Sequence, residues 1–463
     1  MADKFRFEPT AHADLKTDYD MVIIGSGAAG LTSAIQAFEL GLHPVILEKM
    51  DKIGGNTTRA SSGMNAAETS TQLSHQIVDS MDAFYNETFV GGGKKNNPEL
   101  LRYFTDHSAL AIEWLKDHDI PLEDITITGG MKTPRAHRPA STAPIGGYLE
   151  TNLLKVADKD NLEIFTDVTA TKLMTDASGD ITGVEVELDG TKKTLNSPIV
   201  VLATGGFGAN PKLIGQYRPD LEHYKTTNQP GATGDGISLA TQIGAGVVDM
   251  DQVQVHPTVQ QDFDHTFLIG EAVRGEGAIL VNADGSRFVN ELDTRKNVTA
   301  AINNLPEKSA YLIFDQNVRD RAQAIEFYDH VGLVTTGETI DDLADKLNMA
   351  PETLTATINR WNKLVEEDSD SDFSRDMGMH QFDKAPYFAI HIAPAVHYTM
   401  GGLKINAQTQ VQKDDGTVIN GLFAAGEIAG GLHGDNRIGG NSIAETVIFG
   451  RQAGQQAYKY SQK

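Results

Sequence analysis

The octapeptide GEAVRGEG, residues 270–277, sets Glu271, Arg274 and Glu276 close together between glycines, after the apolar Phe267, Leu268 and Ile269. A glutamate three residues ahead of an arginine on a helix commonly forms a solvated pair. The same groups placed inside a protein could hold an anion or move a proton. Four more ionisable residues have glycine-rich or apolar flanks unlike those of ordinary solvated charges: His256 in VQVHPT, Arg295 in NELDTR, His397 in VHYTMGGL and Arg437 in HGDNRIGGN. Taken singly, each also has a plain reading. The histidines suit a core with satisfied ring nitrogens, Arg295 a surface pair with Asp293, and Arg437 a helix cap or a pair with Asp435. Charge balance sharpens the choice. With 39 Lys and Arg against 63 Asp and Glu, the net charge is −24. That field repels nucleic acid and acidic membranes, so an anionic ligand needs a local pocket of cations.

A chain of 463 residues, 40% hydrophobic, implies two or three domains with a sizeable core. Its 45 glycines suggest tight turns and close backbone approach to something bound. Cysteine is absent, which excludes disulfides, thiolate metal sites, iron–sulfur ligation and c-type haem attachment; no metal site is expected. The opening residues carry no apolar signal core and no 18-residue apolar run occurs, leaving the cytoplasm as the expected compartment and no stable membrane insertion.

Positioning falls to a nucleotide fold. Met21 to Ile24 reads as a strand, Gly25, Gly27 and Gly30 supply G-x-G-x-x-G around Ala28 and Ala29, and a helical pattern follows at Leu31, Ile35 and Leu40. A second strand, Pro44 to Leu47, ends in Glu48, placed to accept from a ribose hydroxyl. The small residues Gly54, Gly55, Asn56 and Thr57, then Ala60 to Asn65 with Met64, permit a flat ring system against backbone. Ile199 to Ala203 runs into Thr204 and Gly205, and Gly421 to Glu427 repeats strand, glycine and acid. Three such signals over the whole chain predict an α/β, Rossmann-like domain at 1–250 and 381–463, interrupted by an α+β domain at 251–380. Within the insert, Asp284-Gly285 predicts a hairpin, and helices are expected from Thr339-Ile340 and from Pro351, the latter facing Leu354, Ile358, Trp361 and Val365 inward. EEDSDSD, 366–372, reads as a solvated loop.

Together these segments resemble the FAD-binding domain of two-dinucleotide-binding flavoproteins and, more narrowly, the fumarate reductase and succinate dehydrogenase flavoprotein family, over residues 20 to 455. The resemblance implies an FAD lined by Gly25, Gly27, Ala28, Ala29, Gly30, Glu48, Gly55, Asn56, Thr57, Met64, Asn65, Val168, Ala203, Thr204, Gly205, Asp235, Tyr398, Glu427, Ser442 and Ile443. GGNTTRASSGMNAAET lacks the histidine through which membrane-bound members attach FAD, so non-covalent binding is expected. The resemblance makes the insert a capping domain. It gives His256, His397 and Arg437 to the carboxylates of a small dicarboxylate, with Gly63 and Gly440 lining the site through backbone. It makes Arg295 the proton donor, fed through Glu271 and Arg274. Two positions depart from the pattern. Gly270 stands where soluble fumarate reductases carry a threonine, and Tyr398 where flavocytochromes have a second histidine. Fumarate is the expected substrate, with another 2-enoate (methacrylate, aryl acrylate or urocanate type) or an aspartate oxidase-like reaction as alternatives. Electrons are expected from a separate donor, a reductase partner or free reduced flavin.

Overall fold

The computed structural model describes residues 5–263 and 265–463. Four-residue apolar runs too short for helices become central strands, buried on both faces as parallel strands must be. Met21–Ile24 is buried throughout and pairs in parallel with Pro44–Leu47 on one side and Val200–Leu202 on the other. Val418–Ala424 extends the sheet beyond Val200–Leu202, and Glu163–Phe165 closes the opposite edge. The strand order Gln410–Gln412, Val418–Ala424, Val200–Leu202, Met21–Ile24, Pro44–Leu47, Glu163–Phe165 unites the three separated nucleotide signals in one sheet. The helix Ala28–Glu39 follows the first strand and is buried from Ala28 to Ala37, because the C-terminal helix Asn441–Ser461 also packs on it.

The chain divides into two compact units. One holds the residues up to Glu222 with Asn228–Val253 and Tyr398–Lys463; the other holds His223–Thr227 and Gln254–His397. The second unit is built on a sheet ordered Phe267–Leu268, Val253–Gln260, Tyr387–Thr399, Ala310–Asp315, Ile279–Val281. Its core gathers Ile269, Val273, Leu280, Phe314, Trp361 and Phe388. Thr339 caps the helix Ile340–Leu347 by accepting from the Asp342 amide, and Pro351 opens the helix Pro351–Glu366. That helix buries Leu354, Ile358, Trp361 and Leu364, with Val365 partly buried against the same core.

Arg287 connects two of the local expectations in this unit. The turn at Asp284-Gly285 forms, with the Asn282 amide donating to the Ser286 carbonyl at 3.0 Å, yet only a single bridge, Val281 to Arg287, follows it. Ile279–Val281 pairs instead with Ala310–Asp315. The Arg287 side chain donates to Glu291 at 2.7 Å and to Asp370 at 2.7 Å. Asp370 is therefore only 4% exposed, and the acidic run 366–372 is not simply solvated. Among the described residues, no helix is long and apolar enough to cross a membrane.

Candidate cofactor cradle and cationic cluster

In the first unit, the turn after the first strand is closed by contacts that only hydrogen in place of Cβ permits. Gly25 has φ +109°, and a Cβ there would lie 2.3 Å from the Ala203 carbonyl oxygen. A Cβ on Gly30 would lie 2.0 Å from the Gly25 carbonyl oxygen. Gly27 is the N-cap of Ala28–Glu39, and Thr57 Oγ1 accepts from the Ala28 amide at 3.0 Å, tying the 55–59 turn to the helix start. Backbone N–H groups and the helix dipole there favour a phosphate. Glu48 is buried and accepts from Ser26 Oγ at 2.6 Å and from the Met50 amide at 2.9 Å, while its carbonyl takes the Val168 amide at 2.9 Å. A carboxylate with two such donors still has lone pairs for a ribose hydroxyl. Asn56 accepts from the Gln229 amide at 2.8 Å and donates to Asn228 at 2.5 Å. Ala203 donates its amide to the Ile24 carbonyl at 2.8 Å, Thr204 Oγ1 is buried without a hydrogen-bond partner, and Gly205 follows with φ +71°. Asp235 opens the helix Asp235–Thr241 and accepts from Lys49 Nζ at 2.5 Å.

The same unit stitches Met64–Asn65 to the start of the C-terminal helix. Asn65 Nδ2 donates to the Gly439 carbonyl and to Asn441 Oδ1, both at 2.7 Å, and a Cβ on Gly440 would lie 2.6 Å from Asn65 Oδ1. Ser442 and Ile443 occupy the first turn of that helix, and Gly63 backs on the His137 carbonyl, 2.8 Å from where its Cβ would be. The buried Arg437 guanidinium stacks over the Tyr398 ring at 4.5 Å. Tyr398 in turn donates to Glu445 Oε2 at 2.6 Å, which also lies 3.0 Å from His433 Nε2. Tyr398 thus forms a platform under Arg437 that is itself pinned by two buried groups. With glycines that a Cβ would push into backbone, a helix start whose N-cap, Gly27, has no side chain, and a buried acid, the residues of this unit fit FAD.

Burial pushes the Glu427 carboxyl up from 4.5 to about 7, with Glu445 adding to the shift and the Thr399 amide and Arg437 opposing it. The unfolded chain releases that proton near 4.5, so the folded protein binds more protons between these values. Cofactor-free protein is expected to lose up to about 3 kcal/mol of stability as pH rises through that window. Glu427→Gln should flatten this slope, which melting curves at pH 5 and pH 7 will measure.

In the second unit, Gly270 precedes the short helix Glu271–Gly275 with φ −59° and ψ 150°, a conformation open to any residue. Arg295 begins the helix Arg295–Asn303, whose cap Thr294 accepts from the Asn297 amide. Its Nε donates to Glu271 Oε1 at 2.5 Å and its Nη1 to Gln254 Oε1 at 2.9 Å. Asp293, the surface partner considered from sequence, accepts from Asn297 Nδ2 at 3.0 Å. Arg274 Nη2 lies 3.8 Å from Glu271 Oε1, and Arg274 Nη1 donates to the Glu291 carbonyl at 2.5 Å. Arg274 is 2% exposed, with Nε and Nη2 lacking hydrogen-bond partners. Burial lowers its pKa to about 10, with Glu271 opposing and Arg295 and Arg375 adding to the fall. Arg274, Glu271 and Arg295 therefore lie in one line, joined by an ion pair at 3.8 Å and a hydrogen bond at 2.5 Å. His256 Nδ1 accepts from the Thr258 amide at 3.3 Å, and Thr227 Oγ1 meets His397 Nδ1 at 2.7 Å. These contacts orient both rings, whose centroids lie 5.3 Å apart, edge to face.

Sequence reasoning missed Gln254, Thr227, Ser26, Tyr398's partners Glu445 and His433, and Lys49. Only Gln254 left a signal: it lies two residues before His256 on one strand, hence on the same face.

Comparison with known proteins decides the family. The FAD binding domain family matches residues 20–443. Fumarate reductase (cytochrome) of Shewanella frigidimarina is 38% identical over 447 residues, 96% of this chain and 78% of that protein. The chain belongs to the fumarate reductase family of FAD-dependent flavoproteins. A second relative of this flavoprotein is the NADH:fumarate oxidoreductase of Klebsiella pneumoniae (strain 342), 47% identical over 444 residues, 95% of this chain. The chain spans about half of that relative, 48% of its length. Among solved structures, the open conformation of a flavocytochrome c3 fumarate reductase superposes with a TM-score of 0.84 at 35% identity, covering 97% of this chain and 80% of that one. The cofactor is FAD, and the α/β fold expected from the sequence is the fold of that structure.

Proposed function

We propose that this flavoprotein reduces the C=C bond of fumarate, with Arg295 giving the proton and Glu271 and Arg274 re-supplying it. The observation that carries the reading is the line of contacts from Arg274 through Glu271 to Arg295, at 3.8 and 2.5 Å. FAD, held without a covalent bond, supplies the hydride. Hydride addition to one alkene carbon builds negative charge on the other carbon and its carboxylate. His256, His397 and Arg437 are assigned to the carboxylates, where fixed cations favour the charged transition state over the ground state. Arginine is ordinarily a poor acid. A nearly carbanionic acceptor offsets this, as does a relay whose inner member, Arg274, already holds its proton less tightly.

Names of the relatives point to fumarate, and one residue keeps a second reading open. Gly270 brings no hydroxyl to the substrate site, so a bulkier 2-enoate would gain room there. Electrons come from a donor outside the described FAD unit; NADH is the source in the Klebsiella relative's name. The test is anaerobic. The bound flavin is reduced, fumarate is added, and reoxidation is followed by absorbance. Fast reoxidation is expected. Slow reoxidation by fumarate, with faster reoxidation by methacrylate or an aryl acrylate, would move the assignment to the larger acid.

A further inference from the structure

We infer that Arg375 is a positioning residue for the Arg274–Glu271–Arg295 relay, holding Arg274 through its carbonyl and through Glu291 and placing a second cation beside it. The inference rests on the relay proposed above. Arg375 is 1% exposed, and every N–H of its guanidinium is used. Nη2 donates to the Arg274 carbonyl at 2.6 Å and to the Gly378 carbonyl at 2.6 Å. Nη1 donates to the Ala278 carbonyl at 3.0 Å and to Glu291 Oε2 at 3.0 Å, and Nε to the Met377 carbonyl at 2.9 Å. Two of these acceptors, Arg274 and Ala278, bracket the end of the relay helix. The loop behind Arg375 presses on the same place: a Cβ on Gly378 would lie 2.2 Å from the Gly275 carbonyl oxygen.

Glu291 joins the two arginines. Its backbone carbonyl accepts from Arg274 Nη1 at 2.5 Å while its carboxylate takes Arg375 and, at 2.7 and 2.9 Å, Arg287. Asp370 holds the far side of Arg287, and both Arg287 and Arg375 stack on Trp361, at 4.6 and 5.0 Å. Buried arginine–carboxylate clusters are often structural only, and well-packed apolar residues can replace them. Two features argue for more. Arg375 bonds the relay segment itself, and charged groups face Arg274 from each neighbouring element. Glu271 faces it from its own helix, Arg295 from the helix Arg295–Asn303, Glu291 from the preceding loop and Arg375 from the 375–378 loop. Removing the Arg375 charge leaves Glu271 and Glu291 opposed by one cation fewer. Arg274 then keeps its proton more tightly and yields it more slowly to Glu271. Arg375 itself transfers nothing.

The test uses the FAD-loaded protein with Arg375→Met and Arg375→Lys. Readouts are kcat and KM for fumarate, the solvent deuterium isotope effect on kcat across pH, FAD content and the melting temperature. Arg375→Met should lower kcat at least about tenfold with little change in KM or FAD content, and should raise the isotope effect as proton supply becomes limiting. Arg375→Lys, which keeps the charge and loses the fork, should recover part of kcat. Leu343→Ala loosens the same core at a residue that bonds neither Arg375 nor the relay and should lower the melting temperature alone. A wild-type isotope effect in Arg375→Lys and Arg375→Met overturns the inference, and so does an equal rise in Leu343→Ala. If Arg375→Met fails to fold, the Lys variant decides. Glu271→Gln with wild-type kcat would remove the relay itself and this inference with it.

Discussion

Arg295→Lys is expected to lose nearly all enoate reduction while retaining FAD. Lysine keeps a positive charge, so a role limited to attracting the substrate would survive the change in part. The Arg295 guanidinium makes two directed bonds at once, Nε to Glu271 at 2.5 Å and Nη1 to Gln254 at 2.9 Å. Those bonds set which edge of the group remains for substrate, and a flexible ammonium has no second edge to present. Loss of a positioned acid costs about 10²- to 10⁴-fold in rate. Single-turnover reoxidation of reduced enzyme by fumarate measures it directly, beside FAD content and the affinity for succinate read from the flavin spectrum. Near-loss of rate with preserved FAD and succinate binding places Arg295 at the chemistry. A variant within about threefold of wild type, far short of the cost of losing a positioned acid, would reassign the proton to another group.

What the sequence disclosed divides along the range of the physics. The nucleotide fold was legible because its demands are local: an apolar run, glycines where a turn and a helix meet, and an acid after the next strand. The three strand signals found one another in a single sheet, as Val418–Ala424, Val200–Leu202 and Met21–Ile24 side by side. Cationic flanks were legible for the same reason, since glycine and apolar residues beside a charge are visible in a window of a few residues. The acids that hold the other buried arginines were not. Asp370 reaches Arg287 across 83 positions and Glu291 reaches Arg375 across 84. Glu445 lies 47 positions from Tyr398. No periodicity links such pairs, and an acidic run such as 366–372 carries the same composition whether one of its carboxylates turns inward or none does. The turn at Asp284-Gly285 was legible because its chemistry is local, while the bond from Arg287 to Asp370 was not.

Gly30→Ala is expected to abolish FAD retention, whereas Gly147→Ala in another helix should leave it intact. Each adds one methyl group, so composition and hydrophobicity predict equal effects. Geometry separates them. The Gly30 methyl would stand 2.0 Å from the Gly25 carbonyl oxygen and 3.5 Å from Ile23 Cγ2, while nothing lies within 4 Å of a methyl at Gly147. The Gly25 carbonyl has little room to retreat, because its residue donates its amide N–H to the Leu47 carbonyl at 2.8 Å and sits at φ +109°. Relief must come from lifting the helix Ala28–Glu39 off the strand end, which moves the N–H groups meant for the pyrophosphate and the Thr57 contact to Ala28. Overpacking of a fixed core costs about 1–3 kcal/mol, and displaced phosphate donors add to it. A fall of at least about 100-fold in FAD affinity follows. At Gly147 the same methyl removes backbone freedom from the unfolded chain and should stabilise the protein by about 0.5–1 kcal/mol. FAD-to-protein ratios after desalting, with melting curves of both variants, provide the measurement. Equal retention in the two would mean that the turn tolerates a wider separation of strand and helix, and that the pyrophosphate is held mainly by residues outside the glycine fingerprint.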